Sequence, residues 1–290
     1  MATCRYDRLV PGEWFEWEWD ETLFAGAAAY YDRGRLPNAP GLADAFEKAF
    51  GFDGRGRLLD VGCGPGTVTL PLAGLFEEVV GLDADPGMIQ EARRLASERG
   101  VINASWVQGR AEELPADLGM FSAVTFAASF HWMDRPLVAG IIRGMLEPDG
   151  VVVHVDNRHQ DALALDGTFP APPVERIAEL RREYLGQDRR AGQGIRNSSP
   201  GDEAAAFRAA GFAGPELVVV PDGRTIVRSA DDLIAERFSL SSTAPHLFGD
   251  RLSQFDADLR RVLAEASPDG AFAVCLPDNE LKIWRIAAAP

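Results

Sequence analysis

The 290-residue chain contains only three cysteines, four histidines and no apolar run long enough to cross a bilayer. Cys4, Cys63 and Cys275 show no CxxC spacing and no neighbouring histidine pattern, which excludes a disulfide framework and a zinc site. The longest uncharged run, residues 118–133, is broken by glycine, serine and threonine and falls short of the roughly 20 apolar residues of a membrane helix. Since the N-terminus lacks the basic and apolar pattern of a secretion signal, we expect a cytoplasmic protein without membrane contact.

Basic residues are also scarce. Lysine and arginine together number 29 against 44 aspartates and glutamates, which gives a formal net charge of −15. A field of that sign repels phosphate backbones and anionic lipids, so nucleic acid and membrane surfaces are excluded as first expectations for a partner. The apolar fraction of 46% and the charged fraction of 25% are typical of a globular protein, and a chain of this length needs no metal to hold its core.

Short β-branched runs alternate with helical patterns between residue 57 and about residue 156, which predicts βαβ units and a parallel sheet covered on both faces. The predicted strands of this region are residues 57–61, 78–82, 104–108, 122–127 and 151–155. Asp85 as an N-cap and Pro86 in the first turn predict the start of the helix after the second strand. Further helices are predicted at 40–50, 174–185, 202–210 and about 252–263, and further strands at 216–220 and 281–286.

These patterns divide the chain into four parts. They are an N-terminal arm or cap (1–39), a nucleotide-binding core (40–156), a cap or substrate insertion (157–200) and a C-terminal part of the core with a helical insertion (201–290).

The N-terminal arm contains an aromatic alternation. Phe15, Trp17 and Trp19 alternate with acidic residues, and this period of two suits a half-buried extended stretch. Such a stretch covers an apolar surface or, alternatively, closes over the functional site as a lid.

The most informative motif is Leu-Leu-Asp-Val-Gly-Cys-Gly-Pro-Gly at residues 58–66, which follows a predicted strand and opens a helix. Its three glycines permit a tight turn and let a ligand approach the backbone closely. Dinucleotide sites have the pattern GxGxxG, whereas Thr67 occupies the position of the last glycine here. The GxGxG spacing, with Asp60 just before it, therefore favours an uncharged adenosine ligand over a pyrophosphate.

Later strands add groups that agree with this motif. Asp83 lies 21 residues after Gly62, at the carboxyl end of the second strand, where a carboxylate can accept both ribose hydroxyls. Residues 109–112 follow the third strand, where the adenine would lie, and residues 127–132 end the fourth. Ligands of open α/β sheets bind outside the carboxyl ends of the strands, so we expect all these groups in one crevice.

At these positions the sequence resembles the class I S-adenosylmethionine-dependent methyltransferases, in particular the small-molecule, type 11-like branch with a Phe-His-Trp motif after the fourth strand. The resemblance runs from Tyr30 to Arg285 and is most specific over residues 58–150. It implies an α/β fold with a doubly wound, mostly parallel seven-stranded sheet, a reversed last strand and a helical cap. It also implies methyl transfer to an O, N or C nucleophile of a small-molecule acceptor, with S-adenosylhomocysteine as the co-product, by a monomer or homodimer.

The resemblance assigns individual cofactor contacts. The backbone around Gly62 and Gly64 is expected to hold the methionine part of the cofactor, Asp83 the ribose, and Arg35 the cofactor carboxylate. The other expected cofactor contacts are Tyr31, Asp60, Ala84, Met88, Ala111, Glu112 and Ala127. Arg110 departs from the family pattern, because many relatives carry Asp there, so an adenine contact from this side chain is not implied.

Methyl transfer from a sulfonium is an in-line displacement, in which positioning alone supplies up to roughly 7 to 11 kcal/mol. A general base is needed only if the acceptor is protonated. His131 is the first candidate, since imidazole titrates near neutral pH; the alternative is a structural histidine bonded to a cap loop. His154, Asp156 and His159 offer a second His/Asp base, unless strand alternation buries His154 between the sheet and a helix.

Tyr30, Tyr31 and Trp132 are expected to supply aromatic faces for the sulfonium or the acceptor, with ordinary packing as the alternative. The expected acceptor contacts are Tyr30, Trp132, His154 and His159. Cys63 is expected to be structural, and no metal site is expected. Two other functions stay open: the same pocket could bind S-adenosylmethionine without methyl transfer, or the protein could be a nicotinamide-dependent oxidoreductase, which Thr67 disfavours.

Overall fold

The computed structural model describes residues 20–114, 116–158, 168–192, 194–195 and 203–288. Its strands are β1 (Arg57–Val61), β2 (Glu78–Asp83), β3 (Ala104–Gln108), β4 (Phe121–Ala127), β5 (Leu146–Arg158), β6 (Arg190–Ala191), β7 (Gly194–Ile195), β8 (Phe212–Val220), β9 (Thr225–Ser229), β10 (Ala271–Cys275) and β11 (Asp278–Ile286). Its helices are α1 (Ala28–Gly34), α2 (Leu42–Phe50), α3 (Thr69–Leu72), α4 (Pro86–Glu98), α5 (Arg135–Met145), α6 (Val174–Leu185), α7 (Glu203–Ala209), α8 (Ala230–Phe238) and α9 (Leu252–Ala266). Within these ranges, every helix is too short or too polar to span a membrane.

Seven strands form one sheet in the order β3–β2–β1–β4–β5–β11–β8. β1 pairs in parallel with β2 and β4, whereas β11 runs antiparallel between β5 and β8. The mostly parallel seven-stranded sheet with one reversed strand is thereby confirmed. The strands predicted at 57–61 and 104–108 agree with β1 and β3 residue for residue.

Two of the helices beside the sheet begin with the same capping device. At the start of α4, the Asp85 carboxylate accepts a hydrogen bond of 3.0 Å from the Met88 amide, and Pro86 occupies the first turn. At the start of α5, Asp134 accepts a hydrogen bond of 3.2 Å from the Leu137 amide. An acidic N-cap satisfies an amide that has no partner inside the helix, so the predicted start of α4 is confirmed.

The sheet is buried on both faces. Successive residues of a strand point to opposite faces, so Leu58 and Leu59 of β1 enter different apolar clusters. Leu59 packs in the cluster that contains Phe126 and Phe207, which α5 and α7 cover, and Leu58 packs in the cluster that contains Phe46 of α2. Each fully buried side chain of this kind stabilises the fold by about 1.5–3 kcal/mol. The helices on both faces confirm the doubly wound arrangement.

A further apolar cluster lies beside the sheet and joins α6, α8 and α9 into a helical cap. Its centre is aromatic: Phe248 and Phe255 stack with ring centroids 4.1 Å apart, and Phe238 packs edge-on against both. α6 comes from the region after β5, whereas α8 and α9 come from the chain between β8 and β11. The cap therefore draws on two separate stretches of sequence.

The N-terminal helix α1 is held against the cap by a close backbone contact at Gly34. A Cβ atom at Gly34 would overlap the Ala235 carbonyl group of α8 and would lie 2.7 Å from the Glu236 nitrogen. We expect Gly34→Ala to lower the free energy of unfolding by about 1–3 kcal/mol, as overpacking does. Thermal unfolding measures the change, with Gly74→Ala as the control because no atom lies within 4 Å of its added Cβ. Equal, small shifts in both variants would contradict the contact between α1 and α8.

Candidate active site

A cleft opens at the carboxyl ends of β1, β2, β3 and β4, the edge at which open α/β sheets bind their ligands. It is lined by Phe24, Tyr31, Gly62, Gly64, Leu82, Asp83, Ala84, Met88, Gly109, Arg110, Ala111, Glu112, Ala127, Ala128, Ser129, Trp132 and Met133. The groups predicted from four separate strand ends thus lie in one crevice.

The glycine loop after β1 is pinned to the neighbouring strands. The amides of Gly62 and Cys63 both donate to the Leu82 carbonyl, at 2.7 and 3.0 Å, and the Ser129 hydroxyl donates to the Val61 carbonyl at 2.6 Å. Gly62 has a φ of +70°, and a Cβ there would lie 2.5 Å from the Cβ of Ser129. Both the backbone conformation and the crowding therefore require glycine at this position.

Asp83 forms the polar wall of the cleft at the end of β2. Its carboxylate accepts hydrogen bonds from the Gly64 amide at 2.8 Å and from the Asp85 amide at 2.9 Å. Burial raises the pKa of Asp83 to about 6, although the two hydrogen bonds act in the opposite direction. These two amides fix the orientation of a carboxylate that faces the cleft, which is the arrangement needed to accept hydrogen bonds from a ligand diol.

Asp60 lies beneath the loop and does not line the cleft. Its fully buried carboxylate accepts hydrogen bonds from the hydroxyls of Thr69, at 2.6 Å, and Thr125, at 2.8 Å. Burial raises the pKa of Asp60, while the bonds from both threonines oppose the shift. The structure therefore places Asp60 where it ties β1 to α3 and β4, one layer below the ligand space.

Aromatic side chains close one side of the cleft. The rings of Phe24 and Trp132 meet edge-on with centroids 6.1 Å apart, and the Tyr31 ring faces the glycine loop near Gly64. The Arg35 guanidinium lies 4.6 Å from the Tyr31 ring centroid and donates to the Ser239 carbonyl at 2.8 Å. Arg35 thus stands behind Tyr31, at the cap, and is not among the residues that line the cleft.

The opposite side of the cleft is charged. Glu112 accepts a hydrogen bond of 2.8 Å from the Asp134 amide, which holds the carboxylate at the start of α5. The Arg110 Nε atom lies 3.5 Å from the second carboxylate oxygen of Glu112. Asp83 and Glu112 together outnumber the single guanidinium of Arg110, so the charge of the lining favours a cationic ligand over a pyrophosphate.

Neither of the two predicted general bases that the structure describes, His131 and His154, lines the cleft itself. His131 is in the turn Phe130–Trp132, with its ring centroid 4.8 Å from that of Trp132. His154 is buried against three phenylalanine rings, and its Nδ1 lies 3.5 Å from a carboxylate oxygen of Glu203. Burial acts to raise the pKa of Glu203, but the hydrogen bond with His154 and the nearby His131 lower it. His154 thus lies in the layer between the sheet and α7, the position that strand alternation allowed for it.

Two other predicted positions lie away from the cleft or outside the described residues. Tyr30 packs on Phe238 with ring centroids 5.1 Å apart and lies in a groove between α1, α8 and α9. His159 and the aromatic alternation of the N-terminal arm lie outside the described residues. Across the ranges that are described, no three His, Cys, Asp or Glu side chains meet in a metal-binding arrangement.

Phe24 and Met133 line the cleft, but no sequence motif predicts them as site residues. Phe24 follows the aromatic and acidic alternation of the N-terminal arm, and Met133 comes directly after the Phe-His-Trp motif. Ala128 has a positive φ of 48°, which is uncommon for a residue other than glycine and is often found at functional sites. No local sequence pattern predicts that conformation.

Taken together, the residues that line the cleft are suited to bind S-adenosylmethionine. The fixed Asp83 carboxylate, the open space above Gly64, the buried Met88 beside the cleft and the aromatic wall supply a diol acceptor, room for the ligand backbone and faces for adenine and a sulfonium. Together with the order of the sheet, this site defines the class I S-adenosylmethionine-dependent methyltransferase fold.

Comparison with known proteins agrees with this class. Residues 58–150 match the family model described as a methyltransferase domain. The chain is 36% identical over 134 residues to the ubiquinone biosynthesis O-methyltransferase of Azorhizobium caulinodans, covering 43% of this chain and 52% of that one. It is 32% identical over 111 residues to the uncharacterized methyltransferase YcgJ of Bacillus subtilis, covering 38% of this chain and 44% of that one. The chain thus spans about half the length of the curated relatives it matches.

A solved structure supports the fold independently. The structure of a protein from Anaeromyxobacter dehalogenans, described as a putative type II methyltransferase, superposes with a TM-score of 0.52 at 19% identity, covering 88% of this chain and all of that one. Residues 58–150 thus form a methyltransferase domain, as predicted, and the chain has the fold of class I methyltransferases.

Proposed function

We propose that the protein transfers a methyl group from S-adenosylmethionine to an O, N or C nucleophile of a small-molecule acceptor and releases S-adenosylhomocysteine. The observation that carries this proposal is the Asp83 carboxylate, oriented by the Gly64 and Asp85 amides at the wall of a cleft whose lining is net acidic. The O-methyltransferase of ubiquinone biosynthesis among the relatives supports a small organic acceptor. The net charge of −15 supports a protein that binds neither nucleic acid nor membrane, and we place it in the cytoplasm as a monomer or homodimer.

Different residues of the cleft would bind different parts of S-adenosylmethionine. When bound, S-adenosylmethionine supplies an electrophilic methyl group on a positively charged sulfur. Asp83 accepts hydrogen bonds from the ribose hydroxyls, and the glycine loop brings its backbone close to the amino-acid part of the ligand. Phe24, Tyr31 and Trp132 exclude water and turn aromatic faces toward a cation, an attraction of about 0.5–2 kcal/mol for each well-placed ring. The acceptor enters beside Trp132, between the sheet and the cap.

His131 is the proposed general base for a protonated acceptor. It occupies the turn that carries Trp132 into the cleft. It also lies close enough to the Glu203 carboxylate to contribute to the lowered pKa of Glu203. A base in this position takes the acceptor proton as the new bond to the methyl group forms.

Calorimetric titration with S-adenosylmethionine and S-adenosylhomocysteine is the first test, with nicotinamide dinucleotides as controls. Micromolar binding of the sulfur ligands, about −8 kcal/mol, supports the cofactor assignment. Tighter binding of a nicotinamide dinucleotide would favour the oxidoreductase instead. A mass-spectrometric screen for methylated acceptors then separates methyl transfer from a protein that only binds the cofactor.

His131→Asn tests the base. We expect kcat to fall by about 10²–10⁴-fold, the usual contribution of a general base, while the affinity for S-adenosylhomocysteine stays unchanged. Raising the pH should restore part of the rate, because the acceptor then loses its proton to the solvent. An unchanged kcat, or a loss that no increase of pH repairs, would assign His131 a structural role.

A further inference from the structure

A second cavity lies on the other side of the N-terminal segment from the cofactor cleft. Phe24 lines the cleft, whereas the carbonyl of the next residue, Ala25, contacts His246 in this second cavity at 3.1 Å. The cavity is lined by Tyr184, Leu185, Arg190, His246, Leu247 and Arg251. It therefore lies where the end of α6, the strand β6 and the turn before α9 meet the wall of the cleft.

Two arginines of this cavity have no acidic partner among the residues that the structure describes. Arginines elsewhere, such as Arg94 and Arg260, are each paired with two carboxylates. Within the described part of the chain, Arg190 and Arg251 have no carboxylate within 4.0 Å, and Arg251 donates to the Tyr184 carbonyl at 2.5 Å. A local excess of positive charge in a protein of net charge −15 marks a place where an anion gains attraction.

His246 adds a hydrogen-bonding group that is not in use. Its Nδ1 atom faces the Ala25 carbonyl and so must carry the proton of that hydrogen bond. Its Nε2 atom is buried and has no hydrogen-bond partner among the described residues. A buried polar atom left without a partner costs about 1–3 kcal/mol. When both ring nitrogens carry a proton, Nε2 donates to a ligand oxygen in the cavity.

The other polar group of the cavity is already engaged. The Tyr184 hydroxyl donates to the Asp258 carboxylate at 2.6 Å, and the Arg251 guanidinium lies 5.3 Å from the centroid of the Tyr184 ring. The ring thereby positions Arg251. What the cavity offers a ligand is two guanidinium groups, one imidazole nitrogen and the apolar side chains of Leu185 and Leu247.

We propose that this cavity binds the oxyanion of a carboxylate or phosphate group. Guanidinium groups bind such planar or tetrahedral oxyanions through paired N–H donors, and the imidazole supplies a third contact when it is doubly protonated. The leucines suit a carbon group attached to the anion. The proposal does not depend on methyl transfer: the anion is either an acidic group of the acceptor or a separate small molecule.

Titration with inorganic phosphate at an ionic strength held constant with sodium chloride tests the site. We expect saturable binding in the millimolar range, about −4 kcal/mol, with a shift of the His246 ring signals in NMR spectra. Arg190→Gln should weaken binding about tenfold and keep the unfolding temperature, since the Arg190 side chain makes no hydrogen bond or ion pair in the described structure. Arg251→Gln should also weaken binding about tenfold, but with some loss of stability, because the Arg251 guanidinium donates to the Tyr184 carbonyl. Arg224→Gln, which removes an arginine paired with Asp222, should leave phosphate binding unchanged.

Phenyl phosphate and benzoate identify the source of the anion. Tighter binding of these organic anions than of inorganic phosphate would indicate an acidic group on an organic ligand, and equal or weaker binding would indicate a free anion. The absence of saturable binding for all three probes, or equal affinities in wild type and Arg190→Gln, would overturn the proposal. Titration of each variant with S-adenosylhomocysteine keeps this outcome separate from failure of the cofactor assignment.

Discussion

Asp83→Asn is expected to weaken the binding of S-adenosylhomocysteine about 100-fold, or roughly 2.7 kcal/mol, without unfolding the protein. The carboxylate can accept hydrogen bonds from two ligand hydroxyls while the Gly64 and Asp85 amides hold it in place. A hydrogen bond to a charged group contributes about 1.5–3 kcal/mol, and the amide of Asn presents an N–H group where an acceptor is needed. Calorimetric titration measures the loss.

Asp85→Asn is the matched control for this variant. The Asp85 side chain caps α4 through the Met88 amide and does not line the cleft. Asn is as good an N-cap as Asp, so the affinity should stay within about threefold of wild type. Equal affinities for wild type and Asp83→Asn would mean that the ribose is bound elsewhere.

The raised pKa of Asp83 also predicts a pH dependence. Because burial raises this pKa to about 6, the unliganded protein must lose a proton to present the carboxylate, and affinity should fall about tenfold per pH unit below 6. An acid whose pKa is raised from 3.8 on folding stabilises the fold at low pH, and this contribution is lost as the pH rises through 6. The difference amounts to about 3 kcal/mol.

Both parts of this pH dependence are measurable. Affinity for S-adenosylhomocysteine can be followed across the range from about pH 5 to pH 8, and unfolding of wild type and Asp83→Asn can be compared from about pH 3.5 to pH 8, which spans the unfolded and folded pKa values. As the pH rises, wild type should lose stability relative to the variant. A constant affinity and a constant stability difference would show that Asp83 stays ionised throughout.

Gly62→Ala is expected to have the largest effect on the fold of the site. An alanine at a φ of +70° loses about 1–2 kcal/mol of stability, and its Cβ would press on Ser129 at 2.5 Å. Ser129 is itself fixed by its bond to the Val61 carbonyl, so it has little freedom to move away. We expect the free energy of unfolding to fall by about 2–4 kcal/mol and cofactor binding to be lost.

Gly64→Ala separates the effect of backbone strain from the effect of crowding against Ser129. Gly64 also has a positive φ, of 54°, but its added Cβ would meet only the Tyr31 ring, at the ordinary distance of 3.9 Å. The fold should therefore lose about 1–2 kcal/mol from backbone strain, while the methyl group takes space from the ligand. Chemical denaturation and calorimetry together distinguish the variants. Equal losses of stability would mean that contact with Ser129 contributes nothing.

The sheet and the side of the cleft formed by Gly62, Gly64 and Asp83 were predictable from the sequence for a physical reason. Parallel strands buried on both faces are short β-branched runs, and the loops at their carboxyl ends meet at one edge whatever the rest of the chain does. Gly62, Gly64 and Asp83 could therefore be placed together before any contact was known. α4 was predictable because its acidic cap and its proline are local signals.

Other residues depended on contacts between distant parts of the chain. His154 alternates into the layer beneath α7, and its neighbour Glu203 comes from a helix that no motif marks as functional. Arg35 was expected at the ligand, but its guanidinium lies between Tyr31 and the Ser239 carbonyl of the cap. The helix α8 is only nine residues long and begins at a capping box of Ser229 and Asp232, and its packing against α1 and α9 is not encoded in a local pattern.

The position of β11 in the sheet has a consequence for biosynthesis. β8 is attached to the sheet through β11, yet β8 leaves the ribosome first. Until residues 278–286 emerge, a growing chain must hold β8 without its neighbour, so the backbone groups of β8 that pair with β11 have no strand partner. Pairing across such long sequence separations is slow, and an unpaired apolar edge is prone to association. The sheet is therefore completed last, when β11 inserts between β5 and β8.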